Sequence, residues 1–132
     1  FTEADSLKHG ARSLDLTPAT VDRHYAQAVV GEQCYVMESY VLSAMAATTK
    51  TFGKVVANLS MTDFEIEPIA IGDTLYFESR ILAKRKSESR PDQGLLHIET
   101  LAHNQHGHWV LSFQRKLLIY RQGLGPYKAA GY

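Results

Sequence analysis

The sequence predicts an α+β domain in which one long buried helix is wrapped by a curved antiparallel sheet. Three observations carry this. Gln33 to Thr49 is apolar on nearly every side at helical spacing. From Lys54 onward the apolar period drops to two. The period-two segments are joined by short turns marked by glycine, proline, asparagine and aspartate.

Thr2-Glu3-Ala4-Asp5 opens a first short helix, with Thr2 as cap and the acids at the positive end of the dipole. This helix runs to about Leu14, with Gly10 as a weak point. Asp15 to Thr20 is a loop, because Pro18 removes a donor and disfavours helix before it. Val21 to Val30 reads as a second short helix closed at Gly31. In the central helix, Cys34, Met37, Val41, Leu42, Ala44 and Met45 form a broad apolar surface that Tyr35, Val36 and Tyr40 widen. Thr48, Thr49, Thr51 and Gly53 end it.

Four strands follow. Val55 to Glu67 alternates Phe64 and Ile66 with Glu65 and Glu67, and Pro68 with Gly72-Asp73 makes its turn. Thr74 to about Ser87 sets Leu75, Phe77, Ile81 and Ala83 on one face. Leu95 to His103 and His108 to Tyr120 form a last hairpin, with Trp109, Leu111, Phe113, Leu117 and Ile119 on one face. Short connections make consecutive strands antiparallel neighbours. The sheet edges left open favour a dimer, either of this chain or with a related one. Residues 1–122 form the domain, and the glycine-rich tail 123–132 reads as loose.

Composition narrows the function. The chain has 132 residues, which is one ordinary domain. Its 14 basic and 14 acidic side chains balance, which argues against nucleic-acid binding. The single cysteine, Cys34, fits a reducing compartment such as the cytoplasm. No apolar run reaches the ~20 residues that span a bilayer. The chain opens on Phe1 rather than Met, which leaves room for an upstream segment.

Several pieces resemble the MaoC-like dehydratases and, among them, the mesaconyl-CoA hydratases. These are Ala57-Asn58-Leu59, Glu67-Pro68-Ile69, Ile71-Gly72-Asp73-Thr74-Leu75, Ser89-Arg90-Pro91-Asp92-Gln93-Gly94 and Asn104-Gln105-His106-Gly107. With the opening Phe1-Thr2-Glu3-Ala4-Asp5, the likeness covers most of the chain. It implies a hot-dog fold and an acyl thioester of coenzyme A or a carrier protein as ligand. It also implies that part of the family's first strand precedes Phe1.

In that family an aspartate and a histidine on the loop before the second short helix activate water across an enoyl thioester. The loop reads aspartate, then asparagine two residues on, then proline and histidine. A glycine amide at the start of the central helix holds the thioester oxygen. Here Asp15 stands at the aspartate position, Thr17 replaces the asparagine, Thr20 replaces the histidine, and Met37 falls near the glycine. A threonine hydroxyl does not titrate near neutral pH, so Thr20 does not do what histidine does. The resemblance implies no cofactor and no metal.

Asp15 reads equally as a general base at a subunit interface and as a loop residue ordering the turn before Pro18. Glu38 lies inside the apolar run. Burying an unpaired carboxylate costs several kcal/mol, so the expectation is a carboxyl that keeps its proton and serves as acid or base. Its structural alternative is a polar gap, or a pair with an arginine such as Arg12 or Arg23. Tyr35, Val36 and Met37 read as acyl-pocket lining or as plain core, and Thr17 and Thr20 as substrate contacts. Arg90, near Lys84-Arg85-Lys86, reads as a contact for coenzyme A phosphate or as a solvated loop residue. His24 reads as a surface residue, and His103, His106 and His108 as turn residues with no acid or cysteine to complete a metal site.

Four functions remain open. The first is a hydratase or dehydratase-type lyase with a rebuilt site, in which Glu38 moves the proton and Asp15 orients water. The second is a hot-dog thioesterase, the third a non-catalytic subunit, and the fourth a recruited biosynthetic enzyme such as a cyclase.

Overall fold

The computed structural model describes residues 1–31, 33–48 and 54–126. The expected helix end at Thr49, Thr51 and Gly53 lies outside them, as does the tail from 127. Helices α1 (Glu3–Ser13), α2 (Pro18–Val21), α3 (Arg23–Val29) and α4 (Glu38–Thr48) precede strands β1 (Val55–Ile66), β2 (Tyr76–Lys86), β3 (Gln93–His103) and β4 (Trp109–Tyr120). The strands form one antiparallel sheet in the order β1-β4-β3-β2. No helix among the described residues is long and apolar enough to cross a membrane.

Local chemistry sets the helix ends. Thr2 caps α1 by accepting from the Asp5 amide. The stretch expected as one helix, Val21 to Val30, is divided at Asp22. That residue is extended, and its carboxylate accepts from the His24 and Tyr25 amides to start α3 afresh. The central helix also differs from expectation, since it begins at Glu38 rather than Gln33. Residues 33–37 are non-helical instead, because other chain segments claim backbone groups among them. The Tyr35 amide donates to Ala19 O at 3.3 Å, and the Val36 amide to Ile69 O at 2.8 Å. Tyr35 also forms a bridge with Ala70. Apolar periodicity does not distinguish a buried extended segment from a buried helix turn.

The core lies between α4 and the central strands. Val41 and Met45 of α4 share a cluster with Ile69, with Ala102 of β3 and with Val110, Leu111 and Phe113 of β4. Burying each such side chain stabilises the fold by about 1.5–3 kcal/mol. The α4 helix is not buried all round: Glu38, Ser43 and Ala46 are exposed.

All four strands occupy the expected segments, but β1 and β2 are not neighbours. The 67–75 connection carries the chain from one sheet edge to the other, past the 33–37 segment that pairs with Ile69 and Ala70. The glycine-aspartate turn in this connection is knitted to the β3–β4 hairpin. Gln105 Nε2 donates to Asp73 Oδ1 at 2.8 Å, while the Thr74 amide donates to Gln105 Oε1 at 2.9 Å. Two face assignments also change. Ile81 is exposed beside a register shift at Ile81/Ala83, and Trp109 is half exposed beside the shift at Ala102/His103.

One residue inside the sheet is anomalous. Arg115 is 2% exposed, yet no carboxylate of the described residues pairs with it. Its Nη2 donates to Thr100 Oγ1 at 3.0 Å, the guanidinium lies 5.3 Å from the Phe113 ring centroid, and Nε has no partner. Burial pushes its pKa below the usual guanidinium value. Because Thr100 keeps its contact with Ser79, Arg115→Met is expected to leave stability unchanged or raise it by about 1–4 kcal/mol. Urea unfolding reads this directly, and a loss of stability would contradict the account of Arg115 as an uncompensated charge.

Candidate active site

Seven of the eight residues singled out from sequence line one cavity of about 250 Å³: Asp15, Thr17, Thr20, Tyr35, Val36, Met37 and Glu38. Three segments build it. The loop between α1 and α2 brings Asp15 and Thr17, α2 brings Thr20, and the run before α4 brings Tyr35, Val36 and Met37. The third wall is Ile66 to Ile69, at the end of β1 and the start of the crossover.

The polar centre is Asp15. Ser39 Oγ donates to its Oδ2 at 2.9 Å, and Thr17 Oγ1 donates to its Oδ1 at 3.0 Å. The Ser39 and Thr17 hydroxyls together hold the Asp15 carboxyl below its ordinary range, against a smaller opposing effect of burial; the charge of His9 adds to the lowering. Asp15 is therefore an ionised, oriented acceptor rather than a carboxylate poised near neutrality. Thr17 thus supplies a hydroxyl donor to the aspartate. Thr20 turns away from Asp15, its hydroxyl donating to the Thr17 carbonyl at 2.7 Å.

Glu38 differs from expectation. It is exposed in the first turn of α4, not embedded in an apolar run, because the helix starts at this residue. It takes neither suggested partner: Arg23 pairs with Glu3 instead, its Nε donating to Glu3 Oε1 at 2.8 Å. The desolvation argument for Glu38 therefore falls. What remains is its position on the cavity wall, at a helix end whose first amides lack intrahelical acceptors. The Met37 amide is occupied, donating to buried Ser6 Oγ at 3.4 Å.

Arg90 is not brought to this cavity. It is exposed in the β2–β3 loop, where its Nη1 donates to Gln93 Oε1 at 3.4 Å. Along β4, the Gln93 end of the sheet at Tyr120 is separated from Leu111 by nine residues of strand rise, roughly 30 Å. A larger groove of about 490 Å³ adjoins the cavity at Ile66 and Glu67. Its charged groups include Glu65, Arg80 and Glu99, and Arg80 is already paired with Glu78 and Glu99. The small cavity, with its oriented carboxylate, is the better candidate for chemistry. His106 and His108 are exposed turn residues, and no metal-ligating cluster occurs among the described residues.

Three contributors were not found from sequence. Ser39 and His9 lie behind Asp15, with His9 Nε2 3.1 Å from Ser39 Oγ. Gly10 lies against Met37 and the Asp15 carbonyl. The helical spacing of α1 and α4 was legible, but no sequence signal pairs these two helices at His9 and Ser39.

No family model and no curated protein matches the chain. Solved structures do. A monoamine oxidase regulatory protein from Archaeoglobus is 21% identical, with a TM-score of 0.80 over 92% of this chain and 83% of that one. A MaoC-like dehydratase from Rhodospirillum rubrum is 22% identical, with a TM-score of 0.78 over 93% of this chain and 87% of that one. A Mycobacterium tuberculosis protein described as a double hot-dog fold is 21% identical, with a TM-score of 0.73 over 82% of this chain and 35% of that one. A four-stranded antiparallel sheet packed on a central helix, superposing this closely on such structures, has the hot-dog fold.

Proposed function

We propose that the chain is a MaoC-like protein acting on an acyl thioester, as a hydratase or dehydratase-type lyase with a rebuilt site. The observation that carries this reading is the Asp15 carboxylate, fixed by Ser39 and Thr17 at the edge of a 250 Å³ cavity that opens at the start of α4. Such a site suits water addition across an activated double bond. The Glu38 and Ser39 amides, which open α4, donate to the thioester oxygen, where charge develops. Asp15 accepts a proton from water or from the α carbon, and Glu38 is the second carboxylate on the wall. The thioester assignment and the likeness to mesaconyl-CoA hydratases rest on the turn and loop motifs. Tyr35, Val36 and Met37 form the acyl side. Arg90 lies too far away to serve the same subunit, so any phosphate contact it makes comes from a second copy or a related chain. The proposed assembly is accordingly a dimer.

The test is incubation with a panel of enoyl and 3-hydroxyacyl thioesters in deuterated water, read by mass spectrometry for added water and for α-carbon exchange. Turnover lost in Glu38→Gln as well as Asp15→Asn supports two acting carboxylates. Full turnover in Glu38→Gln removes Glu38 from the chemistry. A second reading, a non-catalytic binding subunit, is favoured by the Thr20 hydroxyl being spent on the Thr17 carbonyl. Thioester binding without turnover or exchange selects it.

A further inference from the structure

The loop that lacks a histidine at position 20 has one behind it. His9 of α1 does not line the cavity, but it touches Ser39, which touches Asp15. Proton counting fixes the direction of this chain. Ser39 has a single hydroxyl proton. An ionised Asp15 only accepts, so that proton points to Asp15 Oδ2. The 3.1 Å contact must then be His9 Nε2–H donating to Ser39 Oγ. His9 therefore carries its Nε2 proton whenever Asp15 is ionised, and a second proton on Nδ1 makes that donation charge-assisted. Successive hydrogen bonds polarise one another, so a change at the imidazole reaches the carboxylate through one hydroxyl.

We infer that His9 is a positioning residue of this site: acting through Ser39, it gives Asp15 two settings, one for charged and one for neutral imidazole. The inference deepens the proposed function and rests on Asp15 being the working carboxylate. His9 is held in place for this role. Its ring lies 5.3 Å from that of Tyr40 in α4, centroid to centroid, and Tyr40 in turn meets Phe1 edge-on at 5.1 Å. Tyr40 and Asp15 are titratable groups beside His9 on other elements; Asp5, Lys8 and Arg12 of its own helix are exposed.

The experiment is nuclear magnetic resonance of the full chain, with the His9 ring labelled with ¹⁵N and aspartate carboxyls with ¹³C, titrated over the interval in which histidines change charge, about pH 5–8. Neutral His9 is expected as the Nε2–H tautomer. The Asp15 carboxyl signal is expected to step at the His9 midpoint. His9→Gln keeps a donor for Ser39 but does not titrate, so the step should vanish while the protein stays folded. Ser39→Ala should uncouple the two signals with both residues present. A neutral His9 bearing its proton on Nδ1, or an Asp15 signal flat across the His9 titration, overturns the inference. If thioester turnover is found, His9→Gln should remove one ionisation from the kcat profile and leave KM unchanged. Coupled signals without turnover sink the lyase reading and leave the His9 chain standing, whereas turnover without coupling does the reverse.

Discussion

Asp15→Asn is expected to lower turnover by about a hundred- to ten-thousand-fold, the range lost when a positioned acid or base is removed. Asparagine is nearly isosteric, and its carbonyl oxygen still accepts from either Ser39 or Thr17. The other hydroxyl faces the amide –NH₂ and must turn to accept, so the fold should lose only about 1 kcal/mol. Rate and stability therefore separate. The acid limb of stability provides a second measurement. The Asp15 carboxyl is held below its ordinary range by Ser39, then Thr17. Its contribution is thus fully present above the unfolded value of about 3.9 and fades as pH falls through the lower folded value. The gap between wild type and Asp15→Asn should close at acid pH. A gap that stays open in acid would mean the hydroxyl bonds do not favour the ionised form.

Gly10→Ala brings two effects into opposition. Alanine is the better helix former by about 1 kcal/mol, and α1 contains Gly10 at an interior position. A Cβ there, however, would collide with the Met37 side-chain methyl and lie 2.8 Å from the Asp15 carbonyl oxygen. The methionine tip can move, but the Asp15 carbonyl is backbone. Overpacking of this kind costs about 1–3 kcal/mol, so a net loss of up to about 2 kcal/mol is expected after the propensity gain. The displacement falls on Asp15 and Met37, so turnover should drop as well. Denaturant unfolding decides the sign: a protein stabilised by the change would show that propensity prevails and the approach is not tight.

This glycine illustrates what sequence does and does not carry. Its φ is ordinary, and periodicity marks it only as a weak point of the helix. Its value lies in a neighbour more than twenty residues away. The strands were legible because a half-buried strand alternates between its faces, and β3 does so in burial from Gly94 to His103. Their order was not, since short connections suggested neighbours and the 67–75 crossover carries β2 to the far edge. The cavity was legible through motif positions on the 15–20 loop and the run before α4. Glu38 was misread because five apolar or polar residues that complete a helical pattern are held non-helical by Ala19, Ile69 and Ala70. Ser39 and His9 were invisible for the same reason as Gly10, since tertiary contact alone makes them partners.

The crossover leaves the sheet with two unlike borders. On β1 the exposed side chains include Val56, Leu59, Met61 and Phe64, whereas β2 ends in exposed Lys84, Arg85 and Lys86. Stacking copies head to tail would press the largely apolar border of one against the cationic border of the next, stripping water from three cations with Asp63 and Glu65 as the exposed acids of β1 to meet them. Repeated, that contact is the route to an open filament. Pairing β1 with β1 about a two-fold axis satisfies both ladders at once and turns the cationic borders outward, where they repel further growth. In the proposed dimer the order of four strands thus acts as a stop signal for polymerisation, favouring a closed pair over an endless ribbon.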